Sequence, residues 1–321
     1  VSVSFIDLAS ICCFTLVMYH MIHVSFDHGN DKIYKKRVFD IPSIKLLQFT
    51  KMTYNLLHIF ASEAISSFLA ILIGLSVVAN DHLLKTKGHG VGFGFIAFGF
   101  GMAFAIPIVM FGFVSAHLNP AMCLALFVLD KIDAVEMGVS MAGEFLGMFL
   151  GAVAMYCMYF PHFMLRPDDD IEVANDAVFV KDQKRKLAVF ATGPAVKIHF
   201  IHSFLVEVLC TTVLIACALG VYSRHTHITN KDDFLMYRSI EGITIGWLVF
   251  VLVLGMGGVT SIAANPARDF SPRLAHFILP INNKGQSNWS YSWIPVVAPF
   301  VGGVIGAYAF KLFTEITSFA I

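Results

Sequence analysis

The sequence predicts an all-α integral membrane protein in which six transmembrane helices and two half-helices form an inverted repeat. Three observations predict it. First, 57% of the 321 residues are hydrophobic and only 14% are charged. Soluble domains carry about 25% charged residues, so a chain of this composition has too little polar surface to face water on all sides. Second, six stretches approach or exceed the roughly 20 apolar residues that a spanning helix needs. Third, two further apolar stretches are too short to span, and each opens with Asn-Pro-Ala. Short, interrupted apolar segments at matching places in two halves point to a transport site at the bilayer midplane.

The spans are read at about 54–79, 90–113, 134–159, 200–221, 239–258 and 292–313. The short segments are 119–129 and 265–279, each preceded by a loop containing Gly or Ser. Residues 1–53 read as an N-terminal extension, and 54–321 as the channel domain, with repeat one over about 54–159 and repeat two over about 200–321. Within the extension, 3–24 is apolar but contains Asp7 and His20 and has no basic leader. It is expected to be an interfacial or packed helix.

The halves correspond residue by residue. Glu63 lies in the first span, and Asn119 follows 56 positions later; Glu207 lies in the fourth, and Asn265 follows 58 later. Gly143, Gly147 and Gly151 recur at helical spacing in the third span, as Gly302 and Gly306 do in the sixth. Small residues every fourth position let helices pack closely in lipid. Three spans per half is an odd number, so the second half must be inserted upside down relative to the first.

Lysine and arginine set the orientation. Lys32, Lys35, Lys36, Arg37, Lys45 and Lys51 crowd before the first span and place that side in the cytoplasm. Loop 222–238 then falls in the cytoplasm and loop 160–199 outside. The second loop conflicts with the rule, because it holds Arg166, Lys181, Lys184, Arg185, Lys186 and Lys197.

The Asn-Pro-Ala segments carry the chemistry. Proline suits the first helical turn, where its missing N–H has no partner to lose. Asparagine before it is a good N-cap. Asn119, Pro120 and Ala121, and Asn265, Pro266 and Ala267, therefore read as two helix starts. If both dip to the midplane, their positive dipole ends meet there and repel cations, while the asparagine amides still donate to a passing neutral molecule.

Ser-Ala-His-Leu-Asn-Pro-Ala (115–121), Ala-Asn-Pro-Ala-Arg-Asp-Phe-Ser-Pro-Arg (264–273) and the sixth span resemble the aquaporin superfamily, over about residues 54–313. The resemblance implies a passive pore in each subunit of a homotetramer, seated in a lipid bilayer, by default the plasma membrane. Asp269 after Arg268 is similar to the glycerol-conducting branch, so glycerol, other small uncharged solutes and water are the implied cargo. Arg268 is implied to line a narrow selectivity filter with Val253, Ile262 and an aromatic from the second span. Phe98 is the candidate, and Gly99 or Phe100 are alternatives because the spacing to Asn119 is one residue long. Val253 and Ile262 stand where glycerol channels usually carry glycine and an aromatic.

Glu63 and Glu207 are implied to hold the half-helix loops by accepting backbone N–H bonds, with Glu144 a weaker parallel. His117 is expected to support its loop or line the inner vestibule. A water-selective or hydrogen peroxide channel of the same fold stays open, as does a secondary transporter with broken helices. No enzyme is expected, because no nucleophile–base pair occurs. No cofactor, metal site or nucleic-acid partner is expected either: the thirteen histidines and six cysteines show no ligand spacing, and there is no basic stripe.

Overall fold

The computed structural model describes residues 55–167, 176–196, 199–223 and 231–317. The extension expected at 1–53, with its 3–24 helix, lies outside these residues. Six helices are long and apolar enough to cross a membrane, and no strand occurs among the described residues. They are α1 (Leu56–His82), α2 (Phe93–Phe111), α4 (Ala134–Met158), α7 (Phe200–Tyr222), α8 (Lys231–Met256) and α10 (Trp289–Ile316). The half-helices are α3 (Pro120–Val128) and α9 (Pro266–Ile278), and α5 (Phe160–Met164) and α6 (Asp176–Phe190) complete the set.

Local chemistry fixes the starts. Asn55 caps α1 by accepting from the His58 N–H at 2.9 Å, and Asp133 caps α4 by accepting from the Val135 and Glu136 N–H groups. Asn119 and Asn265 cap the half-helices with identical backbone angles, φ −160° and ψ 112°, and proline follows each. Such caps are worth about 1 kcal/mol each.

Packing repeats the sequence symmetry. Helix α1 packs on α4, and α7 packs on α10. Half-helix α3 lies on α10 of the other repeat, and α9 lies on α4. The glycines make these approaches possible. A methyl group on Gly151 would sit 2.6 Å from Phe68 O, and one on Gly306 would sit 2.8 Å from Thr212 O. Gly147 meets Ala64 O as Gly302 meets Val208 O.

Two expectations about loops are corrected. The stretch 160–199 holds α5 and the amphipathic helix α6. Its Lys186 is buried, ion-paired with Asp182 at 2.9 Å and donating to Leu165 O and Asn282 O. One of the basic residues that conflicted with the orientation rule is thus a structural pin, neutralised inside the protein. The fifth span begins earlier than 239, because α8 already starts at Lys231 and consumes part of the 222–238 loop.

Candidate functional site: two half-helix N-termini on one cavity

The half-helices meet end to end. Asn119 Nδ2 donates to Ala264 O at 2.8 Å, and Asn265 Nδ2 donates to Leu118 O at 2.6 Å. Asn119 Oδ1 accepts from Ala121 N–H; Asn265 Oδ1 accepts from Ala267 and Arg268 N–H. A carboxamide has two N–H donors, so each asparagine keeps a second one. Both residues line the same cavity.

This junction requires an uncommon backbone. Leu118 and Ala264, one before each asparagine, have φ of 57° and 44°, and Ser261 and Ile262 are also left-handed. Such conformations cost roughly 1–3 kcal/mol each and persist only where surroundings over-determine them. Two buried glutamates do so. Glu63 accepts from Ser115 Oγ and from the His117 and Leu118 N–H groups, at 2.5, 2.8 and 3.1 Å. Glu207 accepts from Thr260 Oγ1 at 2.6 Å and from the Ala263 and Ala264 N–H groups at 3.0–3.1 Å. His117 adds its ring, with Nδ1 3.0 Å from Glu63 Oε1, and also lines the cavity.

The symmetry breaks at Glu144. Its Oε1 accepts from the Asn119 N–H at 2.7 Å and from Cys123 Sγ, while Oε2 is buried without a partner. Aligning the paired glycines 147 with 302 and 151 with 306 puts Pro299 at the matching place in repeat two.

Two cavities share part of their lining. One runs past His117, Asn119 and Asn265 to Arg268. The other opens beside His82, Phe93 and Thr192. The residues lining both are Phe100, Val253, Ile262 and Arg268, so these mark the boundary between them. The Arg268 guanidinium carbon sits 4.8 Å from the Phe100 ring centroid, within cation–π range. Arg268 Nη1 is buried with no protein partner. A cationic donor left unpaired is costly unless a passing molecule or water satisfies it.

Phe98 does not belong to this set. It is 44% exposed and stacks edge-on with Trp247 and Phe250, at 6.3 and 5.8 Å. Two residues on a helix are about 200° of rotation, so Phe98 and Phe100 face nearly opposite ways. Phe100 packs over Gly74, whose missing side chain leaves the ring its place: a methyl group there would be 3.2 Å away.

Asp269 does not approach the pore as its neighbour Arg268 does. Its carboxylate pairs with Arg273, Oδ1 to Nε at 2.7 Å and Oδ2 to Nη2 at 2.9 Å, and accepts from Thr192 N–H and Oγ1. Arg273, which sequence reasoning missed, also donates to Thr192 O and Ser287 O. Both charges are fully buried. The pair ties α9 to the segment after α6 and to the segment before α10. Pro120 and Pro266 occupy the first helical turn and contribute no side-chain polar group.

A sequence profile described as the major intrinsic protein family matches residues 50–310. The chain is 37% identical over 252 residues to a probable glycerol uptake facilitator protein of Thermotoga maritima, covering 78% of this chain and 97% of that one. It is 34% identical over 248 residues to the glycerol uptake facilitator protein of Bacillus subtilis, covering 77% and 81%. Among solved structures, the aquaglyceroporin from Plasmodium falciparum superposes with a TM-score of 0.63 at 24% identity, over 83% of this chain and all of that one. At that identity the likeness concerns the fold.

Proposed function

Because the chain belongs to the major intrinsic protein family, we propose that it is a passive multi-pass membrane channel for glycerol, other small uncharged solutes and water. The observation that carries the reading is the junction of the half-helices: two dipole-positive N-termini and two asparagine amides converge on one cavity. Positive ends facing each other disfavour a cation or a proton at that point. A neutral hydroxyl or water oxygen instead accepts from the asparagine N–H groups.

Arg268, Phe100, Val253 and Ile262 act as the selectivity filter in this reading. Arg268 offers donors on one edge, and the other three residues are an apolar wall. A polyol has the matching asymmetry, with hydroxyls along one side and carbon along the other. The names of the bacterial relatives support glycerol as the cargo. A homotetramer with one pore per subunit is the assembly proposed for it. The plasma membrane is the expected site.

The test is light scattering from proteoliposomes after two osmotic jumps, one with sucrose and one with glycerol. Protein-dependent shrinkage followed by protein-dependent reswelling in glycerol is the expected result. Shrinkage without faster reswelling would make this a water-selective channel and remove the polyol reading. No acceleration of either phase would remove the open channel.

The corrected aromatic gives a sharper prediction in the same assay. Phe100→Ala opens the boundary between the cavities and is expected to change the ratio of glycerol to water permeability several-fold. Phe98→Ala, on the outer face of α2, is expected to leave that ratio unchanged. The reverse pattern would restore Phe98 to the filter.

A further inference from the structure

His82 stands apart from the filter and from the glutamate anchors. It is the last residue of α1 and lines the second of the two cavities together with Arg268, Ser261 and Phe93. Its Nδ1 lies 2.7 Å from Asp81 Oδ2. The other carboxylate oxygen, Oδ1, accepts from the Gly92 N–H at 2.7 Å, which fastens the α1–α2 loop and locks the aspartate in place. A carboxylate can only accept, so the proton of a neutral imidazole sits on Nδ1 and the lone pair on Nε2. Nε2 has no protein partner among the described residues.

The cavity lining therefore holds two complementary side chains: the cationic donor Arg268 and an acceptor oriented by Asp81, His82. We propose that His82, oriented by Asp81, is a binding residue for hydroxylated solutes. It accepts a hydrogen bond from a trailing hydroxyl while a leading oxygen accepts from Arg268. A polyol entering the constriction must shed water from hydroxyls still in the second cavity. An acceptor already in place replaces one of those waters and lowers the cost of entry. Water itself has no trailing hydroxyl to strip, so its passage does not depend on this group. A histidine at a helix C-terminus would favour the helix dipole only when protonated, and that role would give no distinction between solutes. The inference rests on the reading of the protein as a polyol channel.

Two variants separate acceptor chemistry from structure. His82→Leu removes the acceptor at similar size, and His82→Gln returns one through its side-chain oxygen. Asp81→Asn acts at a distance. Its oxygen is claimed by the Gly92 N–H, so its NH2 faces Nδ1, moves the imidazole proton to Nε2 and turns the acceptor into a donor. Permeabilities are measured in proteoliposomes containing equal amounts of monodisperse protein, with glycerol and water followed separately. Wild type is expected to pass both. His82→Leu and Asp81→Asn are each expected to lower glycerol permeability about threefold or more, the scale of one hydrogen bond, with water unchanged, and His82→Gln is expected to restore most of it. An unchanged glycerol-to-water ratio in His82→Leu, or a parallel loss of both permeabilities, would overturn the proposal. A wild-type channel that passes water but no glycerol would overturn the polyol reading and the inference together.

Discussion

Glu207→Leu is expected to abolish conduction while leaving the six spans inserted. The Glu207 carboxylate accepts from Thr260 Oγ1 and from two consecutive backbone N–H groups, Ala263 and Ala264. Leucine fills the space and leaves all three donors buried without a partner. Each unsatisfied donor costs on the order of 1–3 kcal/mol. The same carboxylate holds Ile262 and Ala264 in left-handed conformations, and both line the pore cavity. Once released, the segment relaxes, Ala264 O leaves the Asn119 amide, and the junction of the half-helices opens. Water and glycerol permeability are both expected to fall at least tenfold. Glu207→Gln keeps one acceptor oxygen and is expected to retain part of the flux. Equal, near-normal permeability in both variants would mean that the second half-helix is held by its packing and by the Asp269–Arg273 pair without this carboxylate.

Gly147→Val is expected to prevent assembly altogether. Gly147 lies against the Ala64 carbonyl of α1, flanked by the similar approaches of Gly143 to Phe60 O and Gly151 to Phe68 O. In lipid no hydrophobic effect drives helices together, so close packing must do it. A branched side chain at the middle of this seam forces the α1 and α4 backbones apart. Glu63 sits on α1 and Glu144 on α4, and both reach the first half-helix. Separation of the two helices therefore also removes its anchors. The expected result is loss of the monodisperse peak in detergent on size-exclusion chromatography. Gly138→Val is the control, on the same helix with open space around it, and is expected to behave as wild type. A monodisperse, conducting Gly147→Val protein would show that the seam tolerates a side chain.

The residues divide by what lipid allows a sequence to say. Asn-Pro-Ala, twice, specifies two helix starts by local chemistry alone, since capping by asparagine and proline in the first turn need no tertiary context. Span lengths follow from the thickness of the bilayer, and all six were legible to within a few residues, although α8 itself begins earlier, at Lys231. Glu63 and Glu207 stood out because a carboxylate in an apolar span demands partners. The facing of each helix was not legible. These helices are apolar all round, so no polar stripe marks the side turned to the pore. Phe98 and Phe100 are chemically the same residue, and only packing against Gly74 and Trp247 decides which one meets Arg268. The Asp269–Arg273 pair and the buried Lys186 were hidden for a related reason: in sequence they read as a helix-start acid and a loop charge. Composition and motif alone determined a channel with two half-helices in an inverted repeat. Which side chains lie between its two cavities was decided only when the helices packed, because lipid and protein interior are equally apolar and a sequence cannot distinguish them.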